Sequence, residues 1–353
     1  MRPKIAIVGT GAVGGYAGAH MAQAGEDVTF IDFWPENVET MRAKGLRISH
    51  IRDVPEFTVP VRALHLTDVQ RLAKEKPIDI AFVCVKSYDT AWATTMIAQY
   101  LAPAGFVVSL QNCMNEETVA SVVGWGRTLG AIASSITVDL CEAGHVRRAA
   151  GKSGAKHTVF RVGEVHGRVT DRAKEVLRLV AYADSALATE NLWGERWSKL
   201  VTNVMGNGLS ACTGLISKDI IRDDTLRHFS TRLGSEAIRV GQALGFSLEE
   251  ILHLPPETIA RAGENDAEAT RAVDEHRIAE AAKGGGEHRP SMGQDMMKGR
   301  RTEIDFLNGL VAREGAKIGI ATPANSALTD IVTRVERGEL QPDPRHIIDL
   351  RLN

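Results

Sequence analysis

The segment "KIAIVGTGAVGGYAG", residues 4–18, restricts the folds open to this chain more than any other stretch. Lys4 to Val8 is short, apolar and β-branched, which suits a buried parallel strand. G-x-G-x-x-G follows at Gly9, Gly11 and Gly14. A small-residue helix over 12–25 comes next. Strand, glycine turn and helix in that order form the context in which this pattern binds a dinucleotide. Gly9 permits the tight turn, Gly11 lets the backbone approach a pyrophosphate, and Gly14 lets the helix pack close. Thr10, Ala12 and Val13 complete the loop, and the helix start offers N–H groups and positive dipole to the phosphates. The alternative is a glycine-rich packing seam without a ligand.

Asp32 ends the next strand, "DVTFID" (27–32), 18 residues after Gly14. A carboxylate there accepts hydrogen bonds from the adenosine ribose and repels a 2′-phosphate. The alternative is a cap on the following turn. Phe33, Trp34 and Pro35 bring no cation, and the nearest downstream bases are Arg42 and Lys44. The reading favours NAD, with NADP as the other cofactor that fits.

Strand-like and helix-like segments continue to alternate. "IDIAFVCVK" (78–86) and "GFVVSLQN" (105–112) read as buried strands flanking a crossover helix. "TLGAIASSITVDL", "GHVRRA" and "HTVFRVGEV" read as further strands. The alternation predicts an α/β Rossmann fold, a doubly wound parallel sheet, over residues 1–190. Lys86 and Asn112 follow strands and so face the crevice at the carboxyl ends. Taken singly, each is equally well a satisfied loop residue. From about residue 170 the period is helical, and residues 191–353 are expected to form an all-α domain. Residues 262–290, charged, Ala-rich and ending in Gly-Gly-Gly, read as a solvated insertion: a surface helix, then a loop.

Composition removes several function classes. The chain has 353 residues, 42 basic against 44 acidic, and net charge −2. That balance gives no reason to expect a nucleic-acid or membrane partner. No apolar run approaches the ~20 residues needed to span a bilayer. The N-terminus lacks the layout of a signal peptide. Four cysteines show neither C-x-x-C nor zinc spacing, so no metal is expected, and reduced thiols in the cytoplasm fit.

A Rossmann half joined to a helical half suggests a dehydrogenase with its active site between domains. Hydride transfer to a carbonyl leaves negative charge on oxygen, which needs a proton donor nearby. In "RWSKLVTNVMGNGLSA" (196–211), Lys199, Asn203 and Asn207 recur every four residues, on one face of a helix. Asparagine is a poor helix former, so two on one face call for a reason. The competing reading is a solvated face. A second polar cluster spans 289–309, with Ser291, Gln294, Asp295, Thr302, Glu303 and Asn308. Glu303 is a candidate partner for Lys199.

"GTGAVGG", "VCVKSYDT", "SLQNCMNEE", "ERWSKLVTNVMGN" and "PSMGQDMMKGRRTEIDFLNG" together resemble the ketopantoate reductases (2-dehydropantoate 2-reductases), in that family's order. The resemblance implies a helical domain of the 6-phosphogluconate dehydrogenase type. It implies reduction of 2-dehydropantoate to (R)-pantoate, with Lys199 as proton donor. Asn203, Asn207 and Ser291 would bind the substrate's carboxylate and hydroxyl. Glu303 would stand near the cofactor ribose and the lysine, and Lys86 and Asn112 near the nicotinamide. Three features depart from the family. Asp32 and Phe33 occupy the neighbourhood where the family, which usually prefers NADPH, carries an Arg. Cys113 stands where a Gly is usual, and residues 262–290 directly precede Ser291. A second reading is an NAD-linked catabolic dehydrogenase of another small hydroxy or oxo compound. A third, a non-catalytic dinucleotide sensor, has no need of the Lys199 stripe. The helical domain suggests a homodimer.

Overall fold

The structure is a computed structural model that describes residues 2–50, 54–134, 136–149, 151, 158–283 and 289–352. The Gly-Gly-Gly run at 284–286 lies outside the described residues. The chain divides into two compact units, Met1–Leu192 and Trp193–Asn353. Among the described residues no helix is long and apolar enough to cross a membrane.

The first unit runs β1 (Lys4–Val8), α1 (Ala12–Gln23), β2 (Asp27–Asp32), α2 (Pro35–Lys44), β3 (Leu46–His50), β4 (Phe57–Val59) and β5 (Arg62–His65). It continues β6 (Ile78–Val83), α3 (Thr90–Ala98), β7 (Leu101–Ser109), α4 (Glu116–Val123), β8 (Thr128–Ala133), β9 (Val138–Glu142) and β10 (His145–Arg148). β11 (Phe160–Glu164), α5 (Asp171–Val180) and β12 (Ala186–Thr189) complete it. The main sheet has eight strands in the order β12-β11-β8-β7-β6-β1-β2-β5. β1 pairs in parallel with β2 and β6, with Val8 opposite Ile31 and Val83. The carboxyl ends of these three strands therefore stand side by side, and strand order reverses at β1. That is where an open α/β sheet forms its ligand crevice.

At the other end of the sheet, Lys4 Nζ meets Glu75 Oε2 at 2.6 Å, and Arg62 Nη1 donates to the same oxygen at 2.6 Å.

Two features differ from an all-parallel doubly wound sheet. β11 pairs antiparallel with β8. The chain leaves β8 through the β9–β10 hairpin instead of a crossover helix, so it returns in the opposite sense. The hairpin also joins a second sheet of four strands, β4-β3-β10-β9, which packs on α1. α1 thus lies between two sheets. That explains why it buries every residue from Gly14 to Met21 instead of one stripe.

The second unit is helical: α6 (Leu192–Val204), α7 (Asn207–Thr213), α8 (Ser217–Arg222), α9 (Asp224–Ala243) and α10 (Pro256–Gly263). α11 (Ala267–Ala282), α12 (Ser291–Met297), α13 (Asn308–Lys317), α14 (Pro323–Glu336) and α15 (Arg345–Ile348) follow. Of the expected insertion, the surface helix is present, and one of its faces is packed and not solvated. Its described part ends α10 and forms α11, capped by Asp266, whose Oδ1 accepts the Ala269 N–H at 3.0 Å. Ala269, Val273, Arg277 and Ala281 repeat every four residues and are buried. α11 packs on α8 and α10. High charge hid the stripe, because the exposed faces carry most of it.

Candidate active site

The glycine loop after β1 is shaped by backbone geometry. Gly9 holds φ +94°, where a side chain would be strained, and a Cβ there would stand 2.8 Å from the Val85 nitrogen. Gly14 presses on the Gly9 carbonyl, and a Cβ on it would come within 2.8 Å of Cys84 Cβ. Gly11, the residue before α1, differs: among the described residues a Cβ there meets nothing within 4 Å. The helix start faces open space at Gly11, as phosphate approach requires. These residues fit a dinucleotide.

Asp32 is buried, and its carboxylate is engaged by its own chain. Oδ2 accepts from Thr10 N at 3.1 Å and Asn37 Nδ2 at 2.8 Å, while Oδ1 accepts from Trp34 N at 3.1 Å. Burial pushes this carboxyl above the ordinary aspartate value, opposed by the donors from Trp34, Asn37, Phe33 and Thr10. Asp32 does cap the following turn, and it also ties that turn to the glycine loop at Thr10. Arg42 is held by Glu39, the Ala63 carbonyl at 2.9 Å, and Asp68. Phe33 is exposed, its ring 6.3 Å from that of Trp92.

Lys86 and Asn112 are half-buried at the carboxyl ends of β6 and β7. Their loops are laced together by residues the sequence reading passed over. Gln111 Nε2 donates to the Val85 carbonyl at 2.8 Å and to Thr90 Oγ1 at 2.9 Å. Asn115 Nδ2 donates to the Asn112 carbonyl at 2.7 Å and to Ser87 Oγ at 3.1 Å. The only signal for them was their place inside "VCVKSYDT" and "SLQNCMNEE". Cys113 is buried in the left-handed region at φ 66°, a conformation that favours glycine.

In the helical unit the Lys199 stripe does not run along one helix. α6 stops at Val204 and α7 restarts at Asn207, across a break at Gly206 (φ −129°). The Gly206 N–H turns back to the Asn203 carbonyl at 3.2 Å. Two carbonyls released by the break are caught by side chains. Asn308 Nδ2 donates to the Val204 oxygen at 3.3 Å, and Ser230 Oγ to the Met205 oxygen at 2.6 Å. Lys199 and Asn203 are half-buried on α6, and Asn207 is buried as the first residue of α7.

Two more expected residues belong to elements around α7. Ser291 is exposed at the start of α12, which packs on α7; a Cβ on Gly293 would stand 3.2 Å from Ser210 Cβ. Glu303 is buried at the head of the turn Ile304–Phe306, and a Cβ on Gly208 would lie 3.2 Å from Ile304 Cδ1. Among the described residues no group of three or more His, Cys, Asp or Glu is gathered to hold a metal ion.

Comparison with known proteins bears on both units. Residues 5–158 match the family model for ketopantoate reductase PanE/ApbA, and residues 191–336 match the model for the C-terminal part of the same family. A 2-dehydropantoate 2-reductase from Archaeoglobus fulgidus is 30% identical over 341 residues, covering 95% of this chain and 98% of that protein. A crystal structure of a PanE/ApbA family ketopantoate reductase from Ralstonia eutropha JMP134 is 28% identical, with TM-score 0.76, covering 95% and 99% of the two chains. D-mandelate dehydrogenase, solved with NADH and anilino(oxo)acetate, shares the fold at TM-score 0.77 and 22% identity, covering 95% of this chain and 99% of that one.

Proposed function

Because this chain belongs to the ketopantoate reductase PanE/ApbA family of oxidoreductases, we propose that it reduces the 2-keto group of 2-dehydropantoate to (R)-pantoate with NADH. The observation that carries the reading is the α6–α7 break, built around Asn203 and Asn207, with Lys199 one turn upstream.

The nicotinamide, when bound, supplies the hydride. Lys199 holds a proton on Nζ and delivers it to the carbonyl oxygen as negative charge develops there. The neutral amides of Asn203 and Asn207 hold the substrate's carboxylate and hydroxyl without setting another charge beside them. The Ser291 hydroxyl adds a further donor. Glu303 orients Lys199. Gly9 to Gly14 bind the pyrophosphate, and Lys86 and Asn112 serve the nicotinamide end. Asp32 accepts from the ribose at Oδ1, beside the Trp34 N–H that it receives at 3.1 Å. The same carboxylate disfavours a 2′-phosphate, and Phe33 and Trp34 offer that phosphate no cation.

The test is turnover of 2-dehydropantoate by the purified protein with NADH and with NADPH, following loss of reduced-nicotinamide absorbance. Consumption with neither cofactor sinks the reading, and a clear preference for NADPH sinks its cofactor half. Lys199→Ala is expected to lower turnover by ~100-fold or more while NADH binding persists. Cys113 beside Asn112 favours one second reading, an altered pocket that takes another small 2-oxo or hydroxy acid. A panel of such acids separates the two.

A further inference from the structure

Arg277 is a charged residue in the core of the helical unit. It is 7% exposed on α11, within the stretch whose composition suggested a solvated surface. Among the described residues it makes no ion pair. Its guanidinium donates to three neutral acceptors: Ser230 Oγ at 3.0 Å, Thr231 Oγ1 at 3.3 Å and the Arg227 carbonyl at 3.3 Å. The nearby carboxylate of Asp274 is engaged by Arg227 at 2.8 Å and His228 at 2.8 Å. Burial, with the Arg227 charge adding to it, lowers the proton affinity of Arg277 to a pKa of about 10. An unpaired charge in such a place costs stability, and an apolar side chain of similar size would not.

The next bond in the chain suggests what the charge is for. Ser230 Oγ donates to the Met205 carbonyl at 2.6 Å, one of the oxygens released where α6 breaks. A serine in a helix ordinarily has a choice, since its hydroxyl also bonds back along its own helix. A guanidinium has donors and no acceptor. By donating to Ser230 Oγ, Arg277 occupies an oxygen lone pair and polarises the hydroxyl toward Met205.

We propose that Arg277 is a positioning residue for substrate binding, acting through Ser230 and the Met205 carbonyl to fix the α6–α7 break and with it the amides of Asn203 and Asn207. The proposal rests on the reading that those amides hold the substrate.

The test compares Arg277→Met, Arg277→Lys and Ser230→Ala in the full chain. Arg277→Met is expected to raise KM for 2-dehydropantoate about tenfold, with kcat changed less than ~3-fold. The Kd for NADH stays at the wild-type value. Lysine, also a donor without an acceptor, recovers most of the loss. Amide hydrogen exchange is the second readout and needs no substrate: residues 203–210 exchange faster in Arg277→Met and Ser230→Ala, while residues 9–14 do not change. Unchanged exchange over 203–210 in a cooperatively folded Arg277→Met, or in Ser230→Ala, overturns the proposal. If the wild type fails to turn over 2-dehydropantoate, the functional reading falls, and the exchange measurement still decides the relay.

Discussion

Asn37 donates its amide nitrogen to Asp32 Oδ2 at 2.8 Å and to the Thr10 carbonyl at 3.2 Å. Its own oxygen accepts the Gly144 N–H at 2.8 Å, and the side chain is fully buried. One side chain thus holds the carboxylate, the glycine loop and the β9–β10 hairpin in register. A hydrogen bond to a charged group contributes about 1.5–3 kcal/mol. Asn37→Ala is therefore expected to weaken NADH binding by roughly tenfold or more. NADPH binding should fall less, because a loosened Asp32 repels a 2′-phosphate less. Fluorescence titration with both nucleotides checks this, and an equal loss for the two contradicts it.

Gly11 and Gly14 separate cofactor binding from folding. Gly11→Ala adds a methyl to open space, so the thermal midpoint without nucleotide should stay at the wild-type value. The pyrophosphate needs that space, and NADH affinity should drop at least ~10-fold. Gly14→Ala drives the methyl against the Gly9 carbonyl and Cys84 and should cost about 1–3 kcal/mol of stability. Thermal denaturation beside nucleotide titration tells the two effects apart.

Acid sensitivity should map to the far end of the sheet. Arg62 and then Lys4 hold the Glu75 carboxyl at about 2, below its ordinary 4.5. A depressed carboxyl stabilises the fold fully above its unfolded value, and that contribution is lost as pH falls from 4.5 through about 2. Glu75→Gln should lower neutral-pH stability by about 1 kcal/mol, since the ion pair is partly open to solvent. The two proteins should converge near pH 2 in a denaturation series. Activity at neutral pH should not change.

The four thiols should differ sharply in reactivity. Cys141 is exposed, and Cys113 and Cys212 are buried. Burial pushes the Cys212 thiol up to about 12 and raises that of Cys84 as well. A chromogenic disulfide at neutral pH should label Cys141 promptly and the other three only on unfolding. Peptide mapping of the labelled protein identifies the site.

The β1–α1–β2 unit was legible because its local pattern and tertiary role agree: a buried strand, glycines where close approach is needed, and a carboxylate at the next strand's end. Of the second sheet, the segments of β9 and β10 read as strands, but β3 and β4 were not legible. "LRISH" and "FTV" are short and mixed in polarity, and they become strands only through pairing, as His145 opposite Arg47 shows. The residues Lys199, Asn203 and Asn207 stood out by spacing. The break between the last two did not, because Asn308 and Ser230 hold it from other helices. Arg277 was hidden for the same reason: its charge read as solvated, and only packing shows which face of α11 turns inward. Asn37 left little local trace, since two of its three bonds, to Thr10 and Gly144, reach across the fold.

The accessory sheet changes what a redesign of cofactor choice would involve. Gly144, at the tip of its hairpin, donates its N–H to the asparagine that steadies Asp32. A turn transplanted after β2 from an NADPH-linked relative would arrive without the hairpin that matches it. Chimeras that swap residues 32–37 alone are therefore mismatched by construction, whereas exchanging that turn together with the β9–β10 hairpin moves a complete unit.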